Sequence, residues 1–480
     1  MTELKADSAI RLAELIRTRK LSPVEVVESC LSRIELLNPK LNAIVSIAPD
    51  VMEKAREAEG AVIREKVLGP LHGVPITIKD TIETAGLRTT SGSAMRAQFI
   101  PKHDAPAVAR LKAAGAIILG KTNPAEMAMD YTADNPVFGR TNNPHDLSLT
   151  PGGSSGGEAA AISSGMSTCG IGSDLAGSIR IPSHFCGIAG LKPSVARVPG
   201  AGQFPPAIGP YSLGAAVGPM ARSVNDLHVL FNALITTGAP RPFADLRADI
   251  FEERRALRNV MNGHPVAWYT DDEVSPVTEE TRVAVETAAR VLRDAGLTIE
   301  ETRPPGVERG HDLWLKLFSR ASVVQLRNIY AGHEDKGGEF VRWRLATADE
   351  ADRASVDDYI GSWLDRDRLR DRLIEWMQDT PLILAPVGAT AAYQHGTHKV
   401  TVGDRTMSTF RAFSYSQTFN VFDLPVVTIP ASRTKSGLPI GIQIIGRPFE
   451  EEIVLAAAAI IEDALGGWHA PPIFDHWGKH

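Results

Sequence analysis

With 480 residues, 43% of them apolar, the chain can bury a large core, a length that fits one big α/β domain or two to three ordinary ones. A net charge of −6, with acids and bases interspersed, leaves no basic field to recruit nucleic acid or another polyanion. No run approaches the ~20 apolar residues of a membrane span, the opening MTELKADSAIRLAEL lacks the apolar centre of a signal peptide, and Cys30, Cys169 and Cys186 form no CxxC pair. The expectation is a cytoplasmic protein without disulfides.

Residues 8–37 read as two helices, the second opening with Ser22 as N-cap, Pro23 at the first helical position and Glu25 completing a capping box. Cys30 shares one helical face with Val26, Val27, Leu31 and Ile34, the setting of a buried thiol. These amphipathic helices need a partner for their apolar stripes and offer a face for a homodimer. Residues 74–78 form an apolar strand that delivers Lys79 and Asp80 at its end. A helix over 107–114 stops at Gly115, and 116–119 is the next strand. Asn123 as N-cap with Pro124 at the first position then announces another helix.

Residues 141–157, TNNPHDLSLTPGGSSGG, are almost all turn formers, and a helix resumes over 158–164. Another helix begins near Pro276 and ends at Gly296, followed by a strand over 297–301. The stretch 303–375 is charged, helical and poor in recognisable signals. Strands return at 382–385, 425–430 and 440–445, and a last helix covers 450–465. This α/β alternation predicts a mixed or parallel sheet covered by helices. No internal repeat or long linker interrupts it, so the chain reads as a single large domain over 1–480. Its parts are N-terminal helices at 1–65, a core at 66–235, a variable helical segment at 240–380 and the C-terminal part of the core at 381–480.

Two motif matches fail on physical grounds. Gly115 to Thr122, GAIILGKT, satisfies the phosphate-loop expression, a reading that would make the chain a nucleotide-binding protein. A phosphate cradle needs a flexible loop with converging N–H groups, followed at once by a helix. The interior Ala-Ile-Ile-Leu is strand material instead. GGSSG at 152–156 matches the nucleophile elbow of α/β-hydrolases, but the elbow needs a strand running directly into the serine, and loop precedes Ser154. His395 and His398 are a close histidine pair, in a loop, and no HExxH or Cys/His cluster supports a metal. No metal or cofactor is expected.

What carries chemistry is the run GGSSGGEAAAISSGMSTCGIGSDLAGSIRIPSHFCGIAGLKPS, from Gly152 to Ser194. With VPITIKD at 74–80, GKTNPAEM at 120–127, VGPMARSVNDL at 217–227 and GLPIGIQIIG at 437–446, in this order, it resembles the amidase-signature family. The resemblance covers most of the chain apart from roughly 240–380. It implies an amidase-signature fold, with a central mixed, twisted sheet covered by helices on both faces, and an amidase that hydrolyses a carboxamide to a carboxylic acid and an amine or ammonia. Ser178 of AGSIR matches the family's nucleophile, Ser154 the serine held on a cis peptide bond, and Lys79 the base.

The residue types fit that chemistry by themselves. A serine hydroxyl needs a base, and a lysine serves only when burial has depressed its pKa enough to make it neutral. The apolar strand before Lys79 is a source of that burial, although Asp80 would oppose it if its carboxylate turned inward. The resemblance further implies an oxyanion hole of the N–H groups of Leu175, Ala176, Gly177 and Ser178, with Ser155, Asp174 and Arg180 as supporting groups. Met127 and Met129 are candidates for an acyl pocket.

Two departures stand out. Ala176 occupies a position where the family commonly has glycine, and Asp423 stands where Gly-Leu-Pro is frequent. The stretches FGRTNNPHDLSLTPGGSSGGE and GLKPSVARVPGAGQFPPAIG look most like the second type of fatty-acid amide hydrolase, which points to a small-molecule acyl amide as substrate. The alternative within the family is a glutamine-hydrolysing A subunit of an amidotransferase complex, which uses the same three residues.

Overall fold

The computed structural model describes residues 7–64, 69–235, 243–351 and 355–476. The boundaries drawn at 65/66 and 235/240 fall at stretches outside them. Its strands, in chain order, are β1 (Ile44–Ile47), β2 (Pro75–Lys79), β3 (Ile117–Thr122), β4 (Cys169–Asp174), β5 (Ala189–Lys192), β6 (Ala216–Ala221), β7 (Val266–Trp268), β8 (Ile299–Glu301), β9 (Leu382–Pro386), β10 (Lys399–Val402), β11 (Arg405–Ser408), β12 (Val426–Arg433) and β13 (Pro439–Ile445). Eleven of these join one mixed sheet in the order β1-β3-β2-β4-β6-β5-β12-β13-β9-β7-β8, and β10 and β11 pair as a separate hairpin. The fold is thus α/β, with a sheet that recruits strands from residue 44 to residue 445.

Helices cover both faces, and the strands show why. Along β9, Leu382 and Leu384 enter one apolar cluster while Ile383 and Ala385 enter another, because successive side chains of a strand point to opposite faces. Both faces need cover, so the sheet is sandwiched. The helix Glu451–Leu465 packs on β12, and Arg180–Cys186 packs on β13 and β12.

The two N-terminal helices form as read, at Ala9–Arg17 and Pro23–Leu41, with the Ser22–Glu25 capping box closed in both directions. Their apolar stripes are used within the chain: Leu12, Ala13, Ile16, Val26, Val27 and Cys30 all lie in the main core cluster. The apolar run after Gly115 continues as strand through Thr122, which settles the phosphate-loop match against a loop. Lys121 is buried there, donating to the Ile82 carbonyl and to Thr84 Oγ1 at 3.0 Å.

One expectation is corrected. No α-helix follows Asn123-Pro124; a short 3-10 turn at Glu126–Ala128 stands in its place, with φ of 54° at Met127 and 57° at Ala128. Asn123 has other work, donating to Gly139 O at 2.9 Å and Thr141 Oγ1 at 3.1 Å, and accepting from Asn135 at 2.7 Å.

Candidate active site

β2 and β4 are neighbours and run parallel, so their C-terminal ends open on the same side. Lys79 ends β2, and Ser173 and Asp174 end β4. The Gly-rich loop before the helix Gly156–Ser163 brings in Ser154, whose peptide bond to Gly153 is cis. Gly153 permits the close approach, since a Cβ there would overlap the Thr132 carbonyl.

Lys79 Nζ donates to Ser154 Oγ at 2.6 Å and to Ser173 Oγ at 3.1 Å. All three residues are buried, Lys79 and Ser154 completely. Burial brings the Lys79 pKa down to about 7, against the opposing pull of the Asp174 and Glu158 carboxylates. Asp80, the residue expected to oppose that shift if it turned inward, turns away and accepts from the backbone and hydroxyl of Thr90. Glu158 takes its place: it accepts from the Thr77 hydroxyl and from Thr122 Oγ1 at 2.6 Å, and burial pushes its own pKa up to about 7.

Ser178 lies in the loop between β4 and the helix Arg180–Cys186, with 6% of its surface exposed. Its carbonyl accepts from the Ser155 N–H at 3.2 Å, which ties this loop to the one carrying Ser154. Asp174 and Arg180 organise the turn. The guanidinium binds the carboxylate through Nη2 at 2.8 Å and Nε at 3.0 Å, with both side chains fully buried. The same carboxylate accepts from the N–H groups of Gly177 at 2.9 Å and Ile179 at 3.0 Å and from Asn420 Nδ2 at 3.0 Å. Burial alone would raise the Asp174 pKa; the Arg180 charge and these bonds overcome it and hold the group below the ordinary carboxylate range.

Of the four N–H groups expected to face a substrate oxygen, that of Gly177 is therefore already committed to Asp174. Those of Leu175, Ala176 and Ser178 have no hydrogen-bond partner among the described residues. Gly177 has φ of +106°, and a Cβ there would sit 2.7 Å from Ser416 Cβ and 2.8 Å from Ile181 Cδ1. Ala176 carries no such restriction, which is why an alanine fits there and not one position later. It is buried in the apolar cluster that also holds Tyr131, Trp314 and Phe413.

Ser155 stands beside Ser173, its hydroxyl reaching the Ser173 carbonyl at 3.4 Å. Met127 is buried against Leu326, Tyr330 and Val341, with Met129 half-buried at the edge of that cluster. Met127 sits on the 3-10 turn and Met129 caps its end, in place of the helix assigned to them. The second departure keeps its turn: Asp423 adopts φ of 49°, a left-handed conformation that Asp tolerates better than most residues. Its carboxylate also accepts from Val195 N at 2.8 Å and lies 4.0 Å from the buried Lys192.

Sequence reasoning missed Ser173, Glu158, Tyr131 and Trp314. The first two lie inside the quoted signature run, Glu158 directly after the GGSSGG loop and Ser173 directly before Asp174. Tyr131 and Trp314 reach the loop from elsewhere, donating to the carbonyls of Ala176 at 2.7 Å and Leu175 at 3.0 Å. Phe410 stacks between their rings, at 4.6 Å from Tyr131 and 5.9 Å from Trp314.

Comparison with known proteins places the whole chain in one family. The family model described as Amidase matches residues 25–455. The human protein named fatty-acid amide hydrolase 2 is 31% identical, over 97% of this chain and 90% of its own length. The A subunit of the glutamyl-tRNA(Gln) amidotransferase of Geobacter metallireducens is 29% identical over 95% of this chain and 97% of its own. Among solved structures, a bacterial aryl acylamidase superposes with a TM-score of 0.82 at 27% identity, covering 98% of each chain.

Proposed function

The chain belongs to the amidase-signature family and is an amide-hydrolysing enzyme; from that premise we propose that it works through an acyl-enzyme on Ser178, with Ser154 as proton relay and Lys79 as base. The contact that carries this reading is the 2.6 Å approach of Lys79 Nζ to Ser154 Oγ, at a lysine whose pKa lies near 7. With Lys79 charged, Nζ donates across that contact. With Lys79 neutral, the Ser154 hydroxyl donates to Nζ instead and frees its oxygen to receive a proton.

The Ser178 proton passes to Ser154 as the Ser154 proton passes to Lys79, and Ser178 Oγ attacks the amide carbon. The oxyanion rests on the N–H groups of Leu175, Ala176 and Ser178, the three that the 175–178 loop leaves uncommitted. Collapse breaks the C–N bond while the proton returns through Ser154 to the departing nitrogen. Water repeats the sequence on the ester and releases the acid. The stacked Tyr131, Phe410 and Trp314 rings beside this loop favour an apolar or aromatic acyl group.

The test is a panel of acyl anilides and primary amides graded by chain length, run on the wild type, Ser178→Ala and Lys79→Ala. Both variants should lose on the order of 10⁴-fold or more in kcat. Equal fluorophosphonate labelling of wild type and Ser178→Ala would overturn the nucleophile, and near-normal turnover by Lys79→Ala would remove the base. The second reading, a glutamine-hydrolysing component of a larger complex, rests on the likeness to the amidotransferase. Glutamine as sole substrate, and then only with a tRNA-binding partner present, would favour it.

A further inference from the structure

Five consecutive carbonyls around Ser178 each receive a hydrogen bond. Asn420 Nδ2 donates to Asp174 O at 3.3 Å, Trp314 Nε1 to Leu175 O at 3.0 Å, and Tyr131 Oη to Ala176 O at 2.7 Å. The Ile181 N–H donates to Gly177 O at 2.7 Å and the Ser155 N–H to Ser178 O at 3.2 Å. The N–H groups of Leu175, Ala176 and Ser178, by contrast, find no partner among the described residues. The loop is polarised, with every oxygen satisfied by protein and three hydrogens left over.

In a trans peptide the C=O and the following N–H point in opposite directions within one rigid plane. A donor that fixes the oxygen therefore aims the hydrogen. Trp314, by holding Leu175 O, sets the direction of the Ala176 N–H. Tyr131, by holding Ala176 O, sets that of the Gly177 N–H, which lands on Asp174 Oδ1 at 2.9 Å. Without Trp314 the Leu175–Ala176 plane is free to rotate, and without Tyr131 the Ala176–Gly177 plane is held only through the Gly177 N–H on Asp174; a rotated plane presents a carbonyl where an N–H is needed.

The direction of the Tyr131 bond is itself fixed. Gln417 donates through Nε2 to Tyr131 Oη at 2.8 Å and to Phe410 O at 2.8 Å, and its Oε1 faces His311 Nδ1 at 2.6 Å. The Tyr131 oxygen thus already accepts one hydrogen bond and gives its own proton to Ala176 O. Burial lowers the His311 pKa, and neutral or charged the ring donates through Nδ1, so the chain His311–Gln417–Tyr131 holds the same polarity in either state.

We propose that Trp314 and Tyr131 are positioning residues for the oxyanion of the reaction: they act through the Leu175–Ala176 and Ala176–Gly177 peptides, keeping the Ala176 N–H on the reacting carbonyl and the Gly177 N–H off it. This rests on the acyl-enzyme reading of Ser178. It assigns a catalytic duty to the helical segment, through Trp314, and to a tyrosine outside the signature run.

The experiment compares the wild type with Trp314→Phe and Tyr131→Phe, each of which keeps a ring and deletes the donor. Deleting one oxyanion donor outright costs about 10²- to 10³-fold in kcat. Loosening one should cost Trp314→Phe about tenfold or more and Tyr131→Phe less, since it aims the N–H already committed to Asp174. KM should change little. An acyl trifluoromethyl ketone, whose adduct carries the oxyanion, should lose affinity by the same factor as kcat/KM, while the product acid binds as before. Fluorophosphonate titration of Ser178 counts the folded sites, so a poorly folded variant is corrected for.

The inference fails if both variants keep kcat and ketone affinity within about twofold of wild type, if KM alone rises, or if kcat falls with ketone affinity unchanged. Failure of the acyl-enzyme reading looks different: the wild type itself would take no label at Ser178 and would not be inhibited by the ketone.

Discussion

The loop after β4 is gripped from two sides that differ in kind. The signature core holds it with charge: Asp174 and Arg180, both fully buried, are joined by two side-chain hydrogen bonds, and the same carboxylate ties down the backbone N–H groups of Gly177, Ile179 and Arg180. The helical segment holds it with neutral donors, through one indole N–H from Trp314. That segment also leaves Leu315, Val324, Trp343, Val356, Ile360 and Leu364 in contact with solvent, whereas residues 149–192 hold an almost unbroken run of buried positions. A buried charge that loses its partner destabilises the fold by several kcal/mol, while a neutral donor can be exchanged at a cost of about 1 kcal/mol. The core is built for permanence and the helical segment for adjustment, which suits one to the shared reaction and the other to differences in substrate.

The largest effect that would break this contrast is expected at Arg180. Arg180→Met strands the Asp174 carboxylate in a dry site and should cost about 3–5 kcal/mol in stability, read as a drop in the urea midpoint. A loss below about 1 kcal/mol, the size of a single neutral hydrogen bond, would erase the distinction between the two sides.

A smaller effect concerns the charges facing Lys79. The base must be neutral, and its pKa lies near 7, so kcat/KM should rise with pH through about 7 and level off above it. Glu158 raises that pKa, so Glu158→Gln should move the rising limb to lower pH, by on the order of one unit. Because Glu158 also titrates near 7, the wild-type limb belongs to the pair. A limb that stays in place or moves upward in the variant would separate Glu158 from the base.

The smallest effect tests Asp423, where core and helical segment meet: Arg370 Nε donates to Phe422 O at 2.9 Å. Asp423→Gly keeps the left-handed turn and loses the bond from Val195 N and the charge near Lys192, worth about 1 kcal/mol. Asp423→Ala adds the strain of a Cβ at φ of 49°, about 1 kcal/mol more. Thermal unfolding that ranks alanine above glycine would show that backbone conformation is not what the aspartate supplies.

Much of the frame was legible in the residues. The capping box at Ser22, the strand that ends at Lys79, the glycine stop at Gly115 and the apolar runs of β12 and β13 each follow from local rules, and each is present. β4 was not visible, because Cys-Gly-Ile-Gly-Ser-Asp is buried on both faces and its glycines leave no alternation to detect. The turn at 126–128 was misread because a side chain that caps a helix also serves a loop, and Asn123 commits its amide to Gly139 and Thr141. Trp314 gave no signal at all. Its partner is a backbone carbonyl 139 positions away, and carbonyls are the same at every residue.

The order of the sheet carries one more consequence. β2 and β4, which end in Lys79 and in Ser173 and Asp174, each have a strand paired on either side, whereas β1 and β8 form the outer margins. To slide Lys79 relative to Ser173, the β2–β4 ladder must shear, and either strand moving alone must also break its outer ladder, to β3 or to β6. The margins can fray without transmitting that displacement inward. Amide hydrogens of β2 and β4 are therefore the ones that exchange with solvent only when the whole sheet opens, and the spacing between base and relay persists through every smaller fluctuation of the fold.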